Sequence, residues 1–256
     1  MKIQILGAHN CESQTTKCVS LLIDDSLAID AGGLTSGLTI EAQRKLKAIL
    51  LTHQHYDHIK DIPLIAMNLF LQKDSINIYS TQPVFDVLYS HLLDGELYPK
   101  FMEIPRSKPT LSFTIIEAHK VEHVAGYSIL AVPVIHQIPT VGYQITSPDG
   151  KILFYTADTG PGLADCWQYT SPQLLLVEVT APNSFEEFGR ESGHLTPNLL
   201  KEELIKFREQ KGYLPQIVVV HMAPSLEQEI EVEIAAVAES LKSPITLGYE
   251  GMQLSL

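Results

Sequence analysis

The stretch Leu51-Thr-His-Gln-His-Tyr-Asp-His58 constrains this chain more than any other. His53, His55, Asp57 and His58 place four metal-capable side chains within six residues. The run before them, Ala48-Ile-Leu-Leu51, is apolar and reads as a buried strand. Side chains alternate along an extended segment, so His53, His55 and Asp57 fall to one side, and His58 opens the next segment beside Asp57. Polar residues on a surface turn are the plain alternative. Clustering three imidazoles and a carboxylate after a buried strand argues against it, because such groups are costly to bury without a metal or partners. The donor set suits zinc and tolerates manganese or iron. One tetrahedral ion does not need all four ligands from one loop if others lie downstream. The spacing therefore invites two ions, with His53 and His55 on one and Asp57 and His58 on the other.

The downstream candidates are polar residues where apolar runs emerge. His136 follows Ala131-Val-Pro-Val-Ile135, Asp158 follows Ile152-Leu-Phe-Tyr-Thr-Ala157, and His221 follows Ile217-Val-Val-Val220. A lone histidine at a strand end is more often a satisfied core histidine than a ligand. Three metal-type residues at three strand ends, in a chain that also carries the 51–58 loop, shift the weight to convergence in one pocket. Glu178, inside Leu174-Leu-Leu-Val-Glu178, and His194, in Ser192-Gly-His-Leu-Thr196, are candidates of another kind. A glutamate within an apolar strand needs a specific partner. Asp30, in Asp30-Ala-Gly-Gly33, is either a support for the metal loop or a simple turn residue. His9, His119 and His123 do not follow buried strands and read as ordinary or rim residues, and His91 as a helix-surface histidine.

Strands are expected at Lys2–Leu6, Cys18–Ile23, Leu27–Ile29, Ala48–Leu51 and Ile76–Ser80. Helices are expected at Thr39–Lys47, Ile59–Leu71 and Gln82–Leu93, the last with Val84, Val87, Leu88 and Leu92 on one stripe. Further strands are expected at Leu111–Ala118, Ser128–Val134, Val141–Thr146, Lys151–Tyr155, Gln173–Val179, Gln216–Val220 and Pro244–Leu247. Helices Pro197–Gln210, introduced by Thr196-Pro197, and Glu227–Ser240 complete the series. Strands followed by helices occur twice over, which predicts an α+β chain with αββα layering: two mixed sheets flanked by helices. No linker composition interrupts residues 1–256, so a single domain is expected.

The net charge of −12 argues against a protein that grips a long polyanion by counterion release. It does not exclude a small phosphate substrate, since metal ions supply positive charge locally. The sequence opens directly on a strand, without a charged and apolar leader, and no apolar run approaches the ~18 residues of a membrane span. Cys11, Cys18 and Cys166 are odd in number and match no zinc-knuckle spacing. A cytoplasmic, disulfide-free protein away from the membrane is expected.

The motif His53-Gln-His-Tyr-Asp-His58, with the later strand-end residues, resembles the signature of the metallo-β-lactamase superfamily. The resemblance extends from Lys2 to about Glu250 and implies a dinuclear hydrolase. Carried onto matching positions, it implies His53, His55 and His136 on one ion, Asp57, His58 and His221 on the other, and Asp158 bridging them. Two ions are implied, zinc first and manganese second. The absence of a cysteine ligand beside Asp57 and His58 points to phosphodiester chemistry. Leu176-Val-Glu178-Val-Thr180 and Gly193-His194-Leu195-Thr196 resemble the Glu–His pair of two branches, ribonuclease Z and the class II cyclic-nucleotide phosphodiesterases. Gly193-His-Leu-Thr-Pro197, Val220-His-Met-Ala-Pro224, Leu97-Tyr-Pro99 and Ile104-Pro105 resemble the latter.

The expectation is therefore a phosphodiesterase converting 3′,5′-cyclic nucleotides to 5′-monophosphates through a metal-bridging hydroxide. His194, Glu178 and Asp57 would be its catalytic residues, and its partners a small cyclic-nucleotide substrate and, by resemblance, a second copy in a homodimer. The alternative is a ribonuclease Z-like tRNA 3′-endonuclease. The chain lacks that branch's basic Gly/Pro-containing arm, and no stable nucleic-acid complex is expected.

Overall fold

Short apolar runs separated by turns build the first sheet: Lys2–Gly7 (β1), Ser20–Ile23 (β2), Leu27–Ile29 (β3), Ala48–Leu50 (β4), Ile76–Ser80 (β5) and Leu111–Ile115 (β6). The computed structural model describes residues 1–256. The chain divides into two compact units. The first is Met1–Gly7, Lys17–Glu117 and Glu250–Ser255; the second is Ala8–Thr16, Ala118–Tyr249 and Leu256.

In the first unit the C-terminal strand Gln253–Ser255 pairs antiparallel with β1, and the order continues β1-β2-β3-β4-β5-β6. β1 to β3 are antiparallel and β3 to β6 parallel. The β2–β3 turn has positive φ at Asp24 (43°) and Asp25 (53°), and Ser26 N donates to Ile23 O at 3.0 Å. That is a type I′ turn, whose twist matches a hairpin. Parallel neighbours need crossovers. Helices supply them: Leu34–Gly37 (α1) and Ile40–Gln43 (α2), Tyr56–Ile59 (α3) and Ile62–Leu71 (α4), and Gln82–Val87 (α5) continued by a π-helical turn, Leu88–Leu92. Ile49, Leu51, Ile62, Ile65, Ile78, Val84 and Leu88 form the core beneath them.

The second unit holds the other sheet: Val121–Val124 (β7), Tyr127–Val134 (β8), Thr140–Thr146 (β9), Ile152–Tyr155 (β10), Leu174–Glu178 (β11), Gln216–Val220 (β12) and Ile245–Leu247 (β13), in spatial order β13 to β7. β7 to β10 are antiparallel and β10 to β13 parallel. Glu186–Ser192 (α6), Pro197–Lys211 (α7) and Glu227–Leu241 (α8) are its helices. Leu199, Leu204 and Phe207 of α7 and Ile230, Ile234 and Val237 of α8 pack with Phe154, Trp167, Leu175 and Val219.

Several boundaries differ from expectation. The helix expected over Thr39–Lys47 is only Ile40–Gln43. The helix expected over Ile59–Leu71 is two, broken at Lys60–Asp61. Pro63 lies in the first turn of α4, and its ring would clash with the carbonyl four residues earlier had the helix run through. The strand expected to start at Cys18 begins at Ser20, and the one expected to reach Ala118 ends at Ile115. β7 and Gln253–Ser255 were not expected: Val121-Glu-His-Val124 is largely exposed, and Gln-Leu-Ser buries only Leu254. No helix is long and apolar enough to cross a membrane.

Candidate metal centre and proton-donor pair

In the first unit, β3 and β4 run parallel with Ile29 opposite Leu50, so Asp30 and the 51–58 loop leave the sheet at the same end. Asp30 takes a left-handed backbone (φ 57°), and its N–H donates to Leu50 O at 2.8 Å. Its carboxylate accepts from Thr52 N at 2.9 Å, from Thr52 Oγ1 at 3.0 Å and from His58 Nδ1 at 2.8 Å. Of the two readings left open for Asp30, support of the loop is the one its contacts match. Gly32 completes the clamp: a Cβ there would lie 2.1 Å from Asp57 O, an approach only glycine allows.

His53 and His58 are fully buried, with ring centroids 4.2 Å apart. His53 has Nδ1 3.0 Å from Thr52 Oγ1 and Nε2 3.1 Å from His55 Nδ1. His58 Nε2 lies 3.4 Å from Asp57 Oδ2. Within the loop His53 contacts His55 and Asp57 contacts His58, while the His53 and His58 rings also lie against each other. Since a carboxylate only accepts, His58 Nδ1 carries the proton and a neutral ring keeps its Nε2 lone pair for a cation.

In the second unit, His136, Asp158 and His221 stand just beyond β8, β10 and β12. Asp158 Oδ2 is 3.9 Å from His136 Nε2 and 3.3 Å from His221 Nε2, so one carboxylate lies close to both imidazoles. His136 Nδ1 donates to Gly193 O at 2.9 Å, which again leaves Nε2 as the ligating atom. Burial holds the His136 imidazole below its ordinary pKa, favouring the neutral form a metal ligand needs. Ala157 (φ 58°) and His221 (φ 66°) share the left-handed backbone of Asp30. Non-glycine residues seldom adopt it, and such strain gathers at functional sites.

Beside His221 lies a carboxylate–imidazole pair, Glu178 and His194. Glu178, fully buried at the end of β11, has Oε1 2.7 Å from His194 Nδ1. The carboxylate also accepts from Thr159 N (3.0 Å), Leu195 N (3.3 Å) and Thr180 Oγ1 (3.1 Å). The ligand-capable atoms of Glu178, His194 and His221 lie within 4.8 Å of one another. His194 follows Gly193, which closes α6 in a left-handed conformation (φ 72°).

Each unit therefore carries histidines and aspartates of the type that holds a metal ion, and His53, His58, His136 and His221 are each held through Nδ1, which leaves Nε2 as the candidate ligating atom. Thr52, Thr180 and the Gly193 carbonyl were not anticipated. Only Thr180 had a sequence signal, lying two residues after Glu178 and so on the same side of an extended segment. His9 is not a rim residue: it is buried, with Nε2 3.4 Å from Glu227 Oε2. His91 is exposed, as expected.

The chain matches the β-lactamase superfamily domain over residues 21–222 and belongs to that family, the metallo-β-lactamase hydrolase superfamily. A hydroxyacylglutathione hydrolase of Psychromonas ingrahamii is 33% identical over 126 residues, 46% of this chain and 40% of that protein. A ribonuclease Z of Pyrococcus abyssi is 28% identical over 116 residues, 43% of this chain and 34% of that protein. The crystal structure of unliganded yeast PDE1 superposes with a TM-score of 0.85 over 100% of this chain and 99% of that one, at 17% identity. That likeness shows the fold: two mixed sheets flanked by helices.

Proposed function

We propose that the chain is a metal-dependent phosphodiesterase that hydrolyses 3′,5′-cyclic nucleotides to 5′-monophosphates. The observation that carries this reading is the Glu178–His194 pair beside His221 and Asp158. A proton donor held by a buried carboxylate suits a poor leaving group such as a ribose 3′-oxygen. His53, His55 and His136 are assigned to one divalent ion, Asp57, His58 and His221 to a second, and Asp158 to both. Zinc is the first choice for this nitrogen and oxygen set and manganese the second. When bound, the ions supply a water-derived nucleophile at neutral pH and positive charge for the phosphate.

The residues of the chain do the rest. Attack on phosphorus forms one P–O bond and breaks the bond to the 3′-oxygen. His194 Nε2 delivers the proton to that oxygen, and Glu178 stabilises the imidazolium before transfer. Asp57 would help hold the second ion, and its carboxylate would accept a hydrogen bond from the attacking water. Motif likeness to class II cyclic-nucleotide phosphodiesterases supports the substrate class, and the net charge of −12 weighs against tRNA.

Two named relatives supply the rivals, tRNA 3′-processing and hydroxyacylglutathione hydrolysis. The test is to incubate the zinc- and manganese-loaded protein with a panel of 3′,5′-cyclic mononucleotides, a 3′-extended tRNA and a hydroxyacylglutathione. Release of 5′-monophosphate with tRNA and thioester intact is the expected result. Turnover of either rival with untouched cyclic nucleotides overturns the reading.

A further inference from the structure

One hydroxyl joins the proton-donor pair to a candidate metal ligand. Thr180 Oγ1 lies 2.8 Å from His221 Nδ1, 3.1 Å from Glu178 Oε2 and 3.2 Å from His194 Nδ1. Thr180 is buried, and its backbone is fixed on both sides: its N–H donates to Leu195 O at 3.1 Å, and its carbonyl accepts from Ala223 N at 3.0 Å. The side chain is therefore held in place by its own main chain.

A hydroxyl has one proton and two lone pairs, and a carboxylate oxygen only accepts. The single Thr180 proton is drawn to Glu178 Oε2. His194 Nδ1–H has its shorter contact, 2.7 Å, with Glu178 Oε1. The lone pairs of Thr180 Oγ1 then face His221 Nδ1, which must be the donor. If the hydroxyl instead donated to His221 Nδ1, the neutral ring would carry its proton on Nε2, the atom 3.3 Å from Asp158 Oδ2. A protonated Nε2 cannot ligate a cation.

We propose that Thr180 is a positioning residue that fixes His221 as its Nδ1–H tautomer, using Glu178 to hold the hydroxyl proton away from the ring. His221 Nε2 is thereby prepared for a divalent cation before any cation arrives. The same buried carboxylate serves both the ligand and the proton donor, so replacing one hydroxyl uncouples them. The proposal rests on the preceding reading only in taking His221 as a ligand; the tautomer itself depends on no substrate.

The test is heteronuclear NMR of the imidazole nitrogens in the metal-free protein, for the wild type, Thr180→Val and Thr180→Ser. The expected result is His221 protonated on Nδ1 in the wild type and in Thr180→Ser, and a shift of the proton toward Nε2 in Thr180→Val. A wild-type ring protonated on Nε2 overturns the proposal, and that outcome stands even if the valine variant does not fold. An unchanged Nδ1–H tautomer in folded Thr180→Val also overturns it. Zinc titration is the second readout. Affinity should weaken about 10–100-fold in Thr180→Val and recover in Thr180→Ser; equal affinity in all three contradicts the proposal. Failure to hydrolyse cyclic nucleotides would remove the functional reading and leave the tautomer result standing.

Discussion

Asp30 and His58 form a hydrogen bond from which solvent is wholly excluded, His58 Nδ1 donating to Asp30 Oδ2 at 2.8 Å. Asp30 leaves β3 and His58 lies in α3, so the pair ties the loop's last histidine to the neighbouring strand. Because the same carboxylate receives Thr52 N–H, it sets the loop at both ends.

Asp30→Asn tests that role without disturbing the backbone, since asparagine tolerates the left-handed conformation. It retains one acceptor oxygen where the carboxylate had two. Metal affinity should fall about 10–100-fold while the protein stays folded. Asp30→Ala removes the acceptor of the buried hydrogen bonds from Thr52 and His58 and should lower unfolding free energy by about 1–3 kcal/mol. Metal titration and urea denaturation read the two effects, and an Asp30→Asn protein with unaltered affinity would show that the pair only supports the fold.

Gly193 allows a second separation of effects. A Cβ there would meet His136 Cα at 2.9 Å and His136 Nδ1 at 3.1 Å, whereas one at Gly212 meets nothing within 4 Å. Both glycines have left-handed backbones, φ 72° and 79°. Gly212→Ala should cost about 1 kcal/mol from backbone strain alone. Gly193→Ala should cost more and also weaken metal binding, because it displaces His136. Equal stability and metal affinity in the two variants would contradict the packing seen around His136.

His194→Ala should slow turnover of a cyclic nucleotide by about 10²–10⁴-fold, the usual range for a positioned general acid. Metal content should be unchanged. The loss should shrink for a substrate whose leaving group needs no proton, such as a nitrophenyl phosphodiester. An equal loss on both substrates would remove His194 from the proton-donor role.

The three cysteines should separate by burial. Cys11 is exposed, while Cys18 and Cys166 are buried, and burial pushes the Cys166 thiol up to about 12. At pH 8 a thiol reagent should react quickly with one equivalent in the native protein and with three after denaturation. Rapid native reaction of Cys166 would mean that the 160–170 segment opens readily.

Much of this architecture can be read from the chain, and the reasons differ by residue. Leu27–Ile29, Ile76–Ser80 and Gln216–Val220 are apolar runs bounded by turns, and they form strands at those limits. The loop 51–58 announces itself by composition alone. The short helices around the loop do not, because α2 and α3 are four residues each and are held by neighbours rather than by a periodic face. β7 is mostly exposed, so no alternation marks it. The two-unit grouping is hidden for another reason: Gln253–Ser255 pairs with Lys2–Gln4 across the whole length of the chain. At the candidate site, ligand types follow from residue identity and strand ends. The groups that orient them, Thr52, Thr180 and the Gly193 carbonyl, are common residues or backbone atoms whose meaning comes only from proximity.

The most direct measurement is metal content of the purified protein by elemental analysis, beside Asp158→Ala. Asp158 is the residue assigned to both ions, and its carboxylate lies near both His136 and His221. The account predicts about two divalent ions per chain in the wild type, and loss of metal together with hydrolysis in the variant. Two ions retained in Asp158→Ala, or a wild-type protein that binds none when supplied with zinc or manganese, would contradict it.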